Sequence, residues 1–150
     1  MTTYQVQLKR TVPCPPERAF QLWTDPALMA QWFCPPNGKL TLDVHPGVSG
    51  TYRFKVVLDD GVFYGCSGTY TTYEPPHRLG FTWHWDESSF DNGVSEVDIS
   101  FQPAEDGTEL VLTHTKLSGE ISEQRHTQGW DGRLFALTAL VLIQNEALKR

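Results

Sequence analysis

Residues 15–32, PPERAFQLWTDPALMAQW, change the pattern of the chain from that of a strand to that of two short helices. Pro16 suits the first turn of a helix, because a proline there removes no hydrogen bond. Asp25 then ends this helix and caps the next, which begins at Pro26. Apolar residues recur at helical spacing on both sides of the break: Ala19, Phe20 and Trp23 before it, and Leu28, Met29, Trp32 and Phe33 after it.

An alternation of apolar and polar residues lies on either side of this helical stretch. Tyr4, Val6 and Leu8 alternate with polar residues, which predicts a half-buried first strand. From Leu40 the period of two returns and continues for about 75 residues, interrupted by short turns. We predict six strands there, around residues 40–44, 52–56, 62–73, 79–85, 97–101 and 110–114. Because short turns join consecutive strands, the sheet should be an antiparallel meander.

The last segment, from about residue 123 to 149, has the period of one long helix. Its apolar residues form two ridges, one through Trp130, Leu134, Leu137, Val141 and Leu148 and one through Phe135, Ala139 and Leu142. Since much of the circumference is apolar, we expect a curved sheet to cover this helix on several sides. The element order is then one strand, two helices, six strands and a helix, an α+β fold in a single domain spanning residues 1–150.

Composition and charge exclude several classes of function. The net charge is −6 and the 12 Lys and Arg residues are scattered, so we expect no nucleic-acid partner. The N-terminus has no apolar leader and the longest apolar run, residues 134–143, is too short to cross a bilayer, so we expect a soluble cytoplasmic protein without a membrane partner. Cys14, Cys34 and Cys66 are odd in number and lack CxxC spacing, which favours reduced thiols over disulfides or a zinc site.

Five segments of the sequence, taken in order, carry a family resemblance. They are PPERAFQLWTDP followed by Trp32, GTYRF at 50–54, EPPHRLGFTWHW at 74–85, GTELVLTH at 107–114 and GW at 129–130. Together they resemble the activator of heat-shock protein 90 ATPase homologue family, within the START-like, birch-pollen-allergen-like helix-grip superfamily. The resemblance implies a seven-stranded antiparallel sheet that grips the C-terminal helix, with the two short helices closing one end of a cavity.

The same resemblance leaves the activity open, because the superfamily contains lipid carriers, hormone receptors, aromatase and cyclase domains, and co-chaperones. Our leading hypothesis is non-catalytic binding of a hydrophobic small molecule, without a cofactor, between the sheet and the long helix. The candidate ligand-binding residues are Trp32, Tyr52, Phe54, Phe81, Trp83, Trp85, Ile99, Phe101, Leu112, His114, Trp130, Leu134 and Leu137. The alternative is that these side chains fill the interior and leave no cavity.

The alternation does not decide which side of the strand at 62–73 faces inward, because Tyr64, Tyr70 and Tyr73 do not keep one parity.

Two polar residues in or next to other predicted strands, His114 and Arg78, need partners. The pattern turns His114 inward, so we expect a backbone carbonyl or a tyrosine to satisfy its ring. We expect Arg78 to fix the turn before it or to pair with an acid such as Glu74.

For metal and acid–base chemistry, the spacing offers little. Glu123 and His126 form one Glu-x-x-His, which we interpret as a solvated helix start since a di-iron site needs two such pairs. Glu96 and Asp98 lie on the same face of their strand, opposite to Val97, so we expect both carboxylates to face the solvent. There is no G-x-S-x-G and no G-x-G-x-x-G, so we predict no metal, no nucleophilic residue and no nucleotide cofactor.

Two other functions remain open at this stage. One is a protein-interaction module that acts on a chaperone ATPase; the eukaryotic co-chaperones carry a further N-terminal domain, whereas this chain starts at the first strand. The other is a cavity enzyme, a cyclase or hydrolase, with His114 as general base and Tyr52 as proton donor. The sequence fixes neither the ligand nor whether the protein is a monomer or a homodimer.

Overall fold

A computed structural model describes residues 3–87 and 91–149. The elements in chain order are β1 (Tyr4–Val12), α1 (Pro16–Thr24), α2 (Pro26–Met29), β2 (Gly38–Val44), β3 (Thr51–Leu58), β4 (Phe63–Glu74), β5 (Arg78–Trp85), β6 (Ser95–Ala104), β7 (Gly107–Leu117) and α3 (Glu120–Leu148). This order is the predicted one, and each element extends or trims its predicted bounds by a few residues.

One antiparallel sheet contains all seven of these strands, in the order β1-β7-β6-β5-β4-β3-β2. The meander from β2 to β7 runs through adjacent strands, and β1 pairs with β7 at the far edge. Because β1 and β2 lie at opposite edges, α1 and α2 must cross one end of the sheet to connect them. The helix-grip fold with a curved antiparallel sheet and a long C-terminal helix is confirmed.

Two short helices form the corner that was predicted at Asp25. The Asp25 carboxylate accepts a hydrogen bond of 2.9 Å from the backbone N–H of Ala27 and so caps α2. Across the corner the rings of Trp23 and Trp32 meet edge to face with centroids 4.7 Å apart. The Trp32 indole N–H donates to the carbonyl of Leu22 at 2.8 Å, which satisfies a fully buried donor.

A register shift in β4 explains why its tyrosines do not keep one parity. Tyr70 is paired with Phe81, but Thr72, rather than residue 71, is paired with Gly80. An extra residue at this point reverses which parity faces inward. Before the shift Tyr70 is buried, and after it Tyr73 packs edge to face on Phe20 of α1 with centroids 5.4 Å apart.

Only one face of α3 is covered by the concave side of the sheet. Trp130, Leu134, Leu137 and Val141 are buried there. The expectation that the second ridge would also be covered is wrong, since Phe135 is 76% and Leu142 52% exposed. The sheet forms a trough, so the outer side of a helix lying in it points away from every strand.

Within the described ranges, no helix combines the length and apolar character needed to cross a membrane.

Polar contacts along its length tie α3 to β1 and to the segment that follows β1. They are Gln5 N–H to Glu123 at 2.9 Å, Arg10 to Asp131 at 2.6 Å, and Asn145 to the carbonyl of Pro13 at 2.8 Å. These contacts lie near the start, the middle and the end of the helix. They hold α3 against the β1 edge, and its opposite flank faces β3, β4 and β5.

We predict that Gly107 is required where β7 passes the end of β1. Its φ is +140°, and a Cβ built on it would lie 2.2 Å from the carbonyl oxygen of Val12. Gly107→Ala should lower the free energy of unfolding by about 3 kcal/mol or more, through backbone strain plus the clash. Gly61→Ala is the control, because Gly61 has φ +88° but open space around its Cβ position, and it should cost about 1 kcal/mol. Urea denaturation measures both, and equal losses would contradict the prediction.

Candidate ligand-binding cavity

A cavity of about 310 Å³ lies between one flank of α3 and strands β3 to β5, open to solvent on one side. Its surface is mostly apolar. The residues that line it are Phe33, Pro35, Phe54, Val56, Tyr64, Trp83, Trp85, Arg125, His126, Gln128, Gly129, Trp130, Gly132 and Arg133. The flank of α3 that faces away from β1 therefore forms one wall, and the sheet forms the other.

The thirteen candidate ligand-binding residues divide into three groups in the structure. Phe54, Trp83, Trp85 and Trp130 line the cavity. Tyr52 and Phe81 line only a second cavity, of about 20 Å³, which Phe54 and Trp83 also border and which has room for one water molecule. Trp32, Ile99, Phe101, Leu112, His114, Leu134 and Leu137 are buried and line neither. The interior next to β6 and β7 is thus filled with side chains, while space remains beside β3 to β5.

Most of the α3 wall was absent from the sequence-based candidates. The lining residues that were missed on α3 are Arg125, His126, Gln128, Gly129, Gly132 and Arg133, and elsewhere Phe33, Pro35, Val56 and Tyr64. The apolar ridge of a helix identifies the face that is packed, whereas a cavity wall can lie on its polar flank. The spacing of Arg125, Gly129 and Arg133 at i, i+4 and i+8 places them on one ridge, and this pattern was available in the sequence.

Two glycines keep the α3 wall low. A Cβ built on Gly129 or on Gly132 would meet no atom within 4 Å. Glycine inside a helix costs roughly 1 kcal/mol relative to alanine, so neither glycine is there for helix stability. Neither is needed for close packing, because the space beside each is open. Side chains at these two positions would instead project into or across the cavity mouth.

Trp83 is the centre of the aromatic wall. Its ring centroid lies 5.1 Å from that of Trp130, 5.2 Å from Trp85 and 5.5 Å from Phe54. Among the described residues, the buried indole N–H groups of Trp83 and Trp23 have no hydrogen-bond partner. Buried donors are normally paired. The Trp83 N–H is therefore an unpaired donor buried within the aromatic wall.

His114 is fully buried and holds α3 to the sheet. The Trp130 indole donates to His114 Nδ1 at 3.0 Å, so the ring proton is on Nε2, which donates to the Ser95 hydroxyl at 2.7 Å. Ser95 in turn donates to the carbonyl of Trp83 at 3.3 Å. The prediction that a backbone carbonyl or a tyrosine would bind the His114 ring is wrong. Ser95 of the adjacent strand lies within reach of the ring, and the Tyr52 hydroxyl donates to the carbonyl of Thr82 instead.

Both histidines near the cavity are held neutral by burial. Burial, together with the neighbouring His126, lowers the pKa of His114 to about 3, although the Asp91 carboxylate acts in the opposite direction. Burial also lowers the pKa of His126, whose ring centroid is 4.7 Å from that of His114. His126 Nδ1 donates to the carbonyl of Ser122 at 2.8 Å, and Nε2 accepts from the Trp85 indole at 3.0 Å. The interpretation of His126 as part of a solvated helix start is wrong, because it lies one helical turn before Trp130 on the same buried face.

Acidic residues on β6 face the solvent as expected. Arg78 pairs with Asp98 at 2.6 Å across β5 and β6, and Lys116 pairs with Glu96 at 3.0 Å. Arg78 thus does pair with an acid, one on the neighbouring strand rather than at the turn before it. Over residues 3–87 and 91–149, no three His, Cys, Asp or Glu side chains are grouped to hold a metal ion.

Arg133 connects α3 to the segment that follows α2, beside the cavity. Its Nη1 donates to the carbonyls of Trp32 at 2.6 Å and Cys34 at 2.8 Å. These bonds fix the segment after α2, which contributes Phe33 and Pro35 to the lining. Partial burial lowers the pKa of the Arg133 guanidinium, yet an arginine keeps its charge in proteins.

Comparison with known proteins places the chain in a family. The sequence profile described as Activator of Hsp90 ATPase homolog 1-like protein matches residues 13–141. The chain belongs to this family. A solved structure of a Chromobacterium violaceum protein is 25% identical with a TM-score of 0.84, over 92% of this chain and 96% of that one. The AHSA1 protein from Silicibacter pomeroyi is 28% identical with a TM-score of 0.79, over 93% and 99% of the two chains. No curated protein matches.

In this member of the Hsp90-activator homologue family, four of the five segments that carried the resemblance contribute residues to the cavity or contain the buried histidine. Residues 50–54 bring Phe54 to the cavity, and residues 74–85 bring Trp83 and Trp85. Residues 107–114 end at His114, and residues 129–130 supply the glycine and the tryptophan of the α3 wall. These segments therefore serve both the packing of the fold and the shape of the cavity.

We predict that His114 makes the protein lose stability in mild acid. The ring stays neutral in the folded protein down to about pH 3 but binds a proton below about pH 6.5 once unfolded. Since the unfolded state binds more protons in this window, the free energy of unfolding should fall with falling pH, by up to about 1.4 kcal/mol per pH unit for one group. Above pH 6.5 this contribution is fully present.

Urea denaturation between pH 7 and pH 4 tests this prediction on the wild type and on His114→Gln, which cannot titrate. The slope of stability against pH should be smaller in the variant by about one proton. The control is His77→Gln, a change at an exposed histidine, which should leave the slope unaltered. An unchanged slope in His114→Gln would refute the assignment.

Proposed function

We propose that the protein binds a hydrophobic small molecule in the cavity between α3 and strands β3 to β5, without catalysing a reaction on it. The observation that supports this most is the mostly apolar space of about 310 Å³ walled by Phe54, Trp83, Trp85 and Trp130. Small-molecule sites have volumes of roughly 300–1,000 Å³, so the occupant would be a small ligand.

Affinity in such a cavity would come from the apolar surface of the ligand that leaves water. About 300 Å² of buried ligand surface corresponds to roughly 7–8 kcal/mol at 25 cal/mol per Å². Part of this is offset by the lost freedom of the ligand. Dissociation constants in the range of about 1 µM to 1 mM are therefore expected.

The residues proposed for acid–base catalysis are engaged elsewhere. His114 is not a lining residue, and its Nδ1, the nitrogen that could accept a proton, accepts the Trp130 indole N–H. The Tyr52 hydroxyl donates to the carbonyl of Thr82 at 2.5 Å, and burial raises its pKa well above the usual value. A substrate in the larger cavity would meet neither group, which favours binding over catalysis.

The free thiols of the three cysteines are consistent with a protein that acts in a reducing compartment. Cys14, Cys34 and Cys66 are all free, and Cys14 and Cys66 are buried. Burial raises the pKa of the Cys14 thiol to about 11, so it stays protonated and poorly reactive at neutral pH. We therefore propose that the protein acts in the cytoplasm.

Filling the cavity with a side chain should weaken binding without unfolding the protein. Gly129→Leu places a leucine in open space beside the cavity and improves helix propensity, so thermal stability should not fall. Titration with the uncharged fluorescent probe N-phenyl-1-naphthylamine should show a dissociation constant at least about tenfold weaker than in the wild type, a loss of about 1.4 kcal/mol.

Gln124→Leu is the matched control, because it adds a leucine at an exposed position of α3 that does not line the cavity. Its affinity for the probe should equal that of the wild type. Absence of probe binding in the wild type, or equal binding by both leucine variants, would count against the proposed function.

A co-chaperone role is the second candidate, supported by the family description and by exposed apolar side chains on α3. Phe135 and Leu142, both exposed, lie on one face of α3. Under this hypothesis the protein should raise the ATPase rate of a purified Hsp90-type chaperone, Phe135→Ser should reduce the stimulation, and Gly129→Leu should not. An ATPase rate that the wild type leaves unchanged would remove this candidate.

A further inference from the structure

Among the described residues, the arginine and carboxylate side chains that line the cavity are all of one sign. Arg125 and Arg133 line it, and none of the lining residues in that part of the chain is an aspartate or a glutamate. This contrasts with the chain as a whole, whose net charge is −6. The two arginines lie eight residues apart on α3, on either side of Gly129, so they stand about 12 Å apart along the helix with open space between them. The potential at the mouth thus favours an anionic group on an otherwise apolar ligand.

Arg133 has the geometry to bind that anionic group. Its Nη1 is used by the carbonyls of Trp32 and Cys34. Within the described part of the chain, the guanidinium forms no ion pair with a carboxylate and its Nε and Nη2 groups have no hydrogen-bond partner. Neither nitrogen is among the buried unpaired donors, so both can be reached by solvent or by a ligand. The remaining edge, Nε with Nη2, is a planar pair of donors that matches the two oxygens of a carboxylate.

The cavity that Arg133 lines also has apolar walls on which the uncharged body of the ligand could pack. The same cavity that Arg133 borders is walled by Trp83 and Trp85, and Phe33 and Pro35 lie next to the segment that Arg133 holds. Because the two carbonyl bonds restrict the guanidinium, little further ordering would be required on binding. A ligand would therefore place its charged end at the open side and its apolar end against the tryptophans.

We infer that the cavity takes an amphipathic monocarboxylic acid whose carboxylate pairs with Arg133 and whose apolar or aromatic body packs on the tryptophan wall. This inference rests on the proposed function and adds to it the chemical class of the ligand. Arg133 then has two roles, since it also holds the segment after α2 in place.

Two probes that differ only in charge test the inference. Isothermal titration calorimetry with 2-naphthoate and with the neutral 2-naphthamide compares a carboxylate with an amide of the same shape. The wild type should bind the naphthoate about tenfold more tightly, as expected for one charge-assisted pair. Arg133→Gln should bring the two affinities to within about twofold of each other, while Arg133→Lys, which keeps the charge but not the fork, should retain part of the preference.

Arg78→Gln is the control, because Arg78 pairs with Asp98 and does not line the cavity, so the tenfold preference should persist. If Arg133→Gln fails to fold, the wild type still provides a test, since 1 M NaCl should weaken naphthoate binding and leave the amide unaffected. Equal affinity for acid and amide in the wild type, or no effect of salt, would overturn the inference. Failure of both naphthalenes and of N-phenyl-1-naphthylamine to bind would instead overturn the proposed function.

Discussion

The hydrogen bond from the Trp130 indole to His114 Nδ1, 3.0 Å long and fully buried, fixes the long helix on the sheet. It also determines which ring nitrogen carries the proton, and through it the bond from His114 to Ser95. Because no water reaches this bond to replace either partner, sliding α3 along the trough would leave a buried donor and acceptor unpaired, at a cost of about 1–3 kcal/mol for each. The rotation of α3 about its own axis is set by the same contact, and with it the side chains that face each wall.

From this constraint the interior divides into a packed half and an open half. Leu134 and Leu137 follow Trp130 on the buried face and fill the space towards β6 and β7. Gly129 and Gly132 lie on the opposite flank, where they add nothing to the space beside β3 to β5. Polar contacts with β1 hold the helix away from that side, and Arg133 spans the mouth to the segment after α2. The cavity is therefore a consequence of where the helix is attached and of two missing side chains.

The order of strands and helices could be predicted from local patterns, because alternation and helical spacing report directly on which residues are buried. The corner at Asp25 followed from capping and proline chemistry in the same way. The inward face of β4 could not be predicted, since a single inserted residue near Tyr70 changes the parity. Nor could the partners of His114, because Ser95 reaches it across two strands whose register depends on the whole sheet. The cavity wall on α3 was missed for another reason: apolar spacing identifies the packed face of a helix, and Arg133 lies beside that face.

The central claim is that open space beside α3, rather than the packed half of the interior, receives the ligand. The five tryptophans allow a direct test, because each has one indole N–H resonance in a ¹H–¹⁵N correlation spectrum. Trp83, Trp85 and Trp130 line the cavity, whereas Trp23 and Trp32 do not. On titration with 2-naphthamide, the resonances of the first three should shift in a saturable way while those of Trp23 and Trp32 stay in place. Shifts confined to Trp23 and Trp32, or shifts of equal size at all five, would contradict the account.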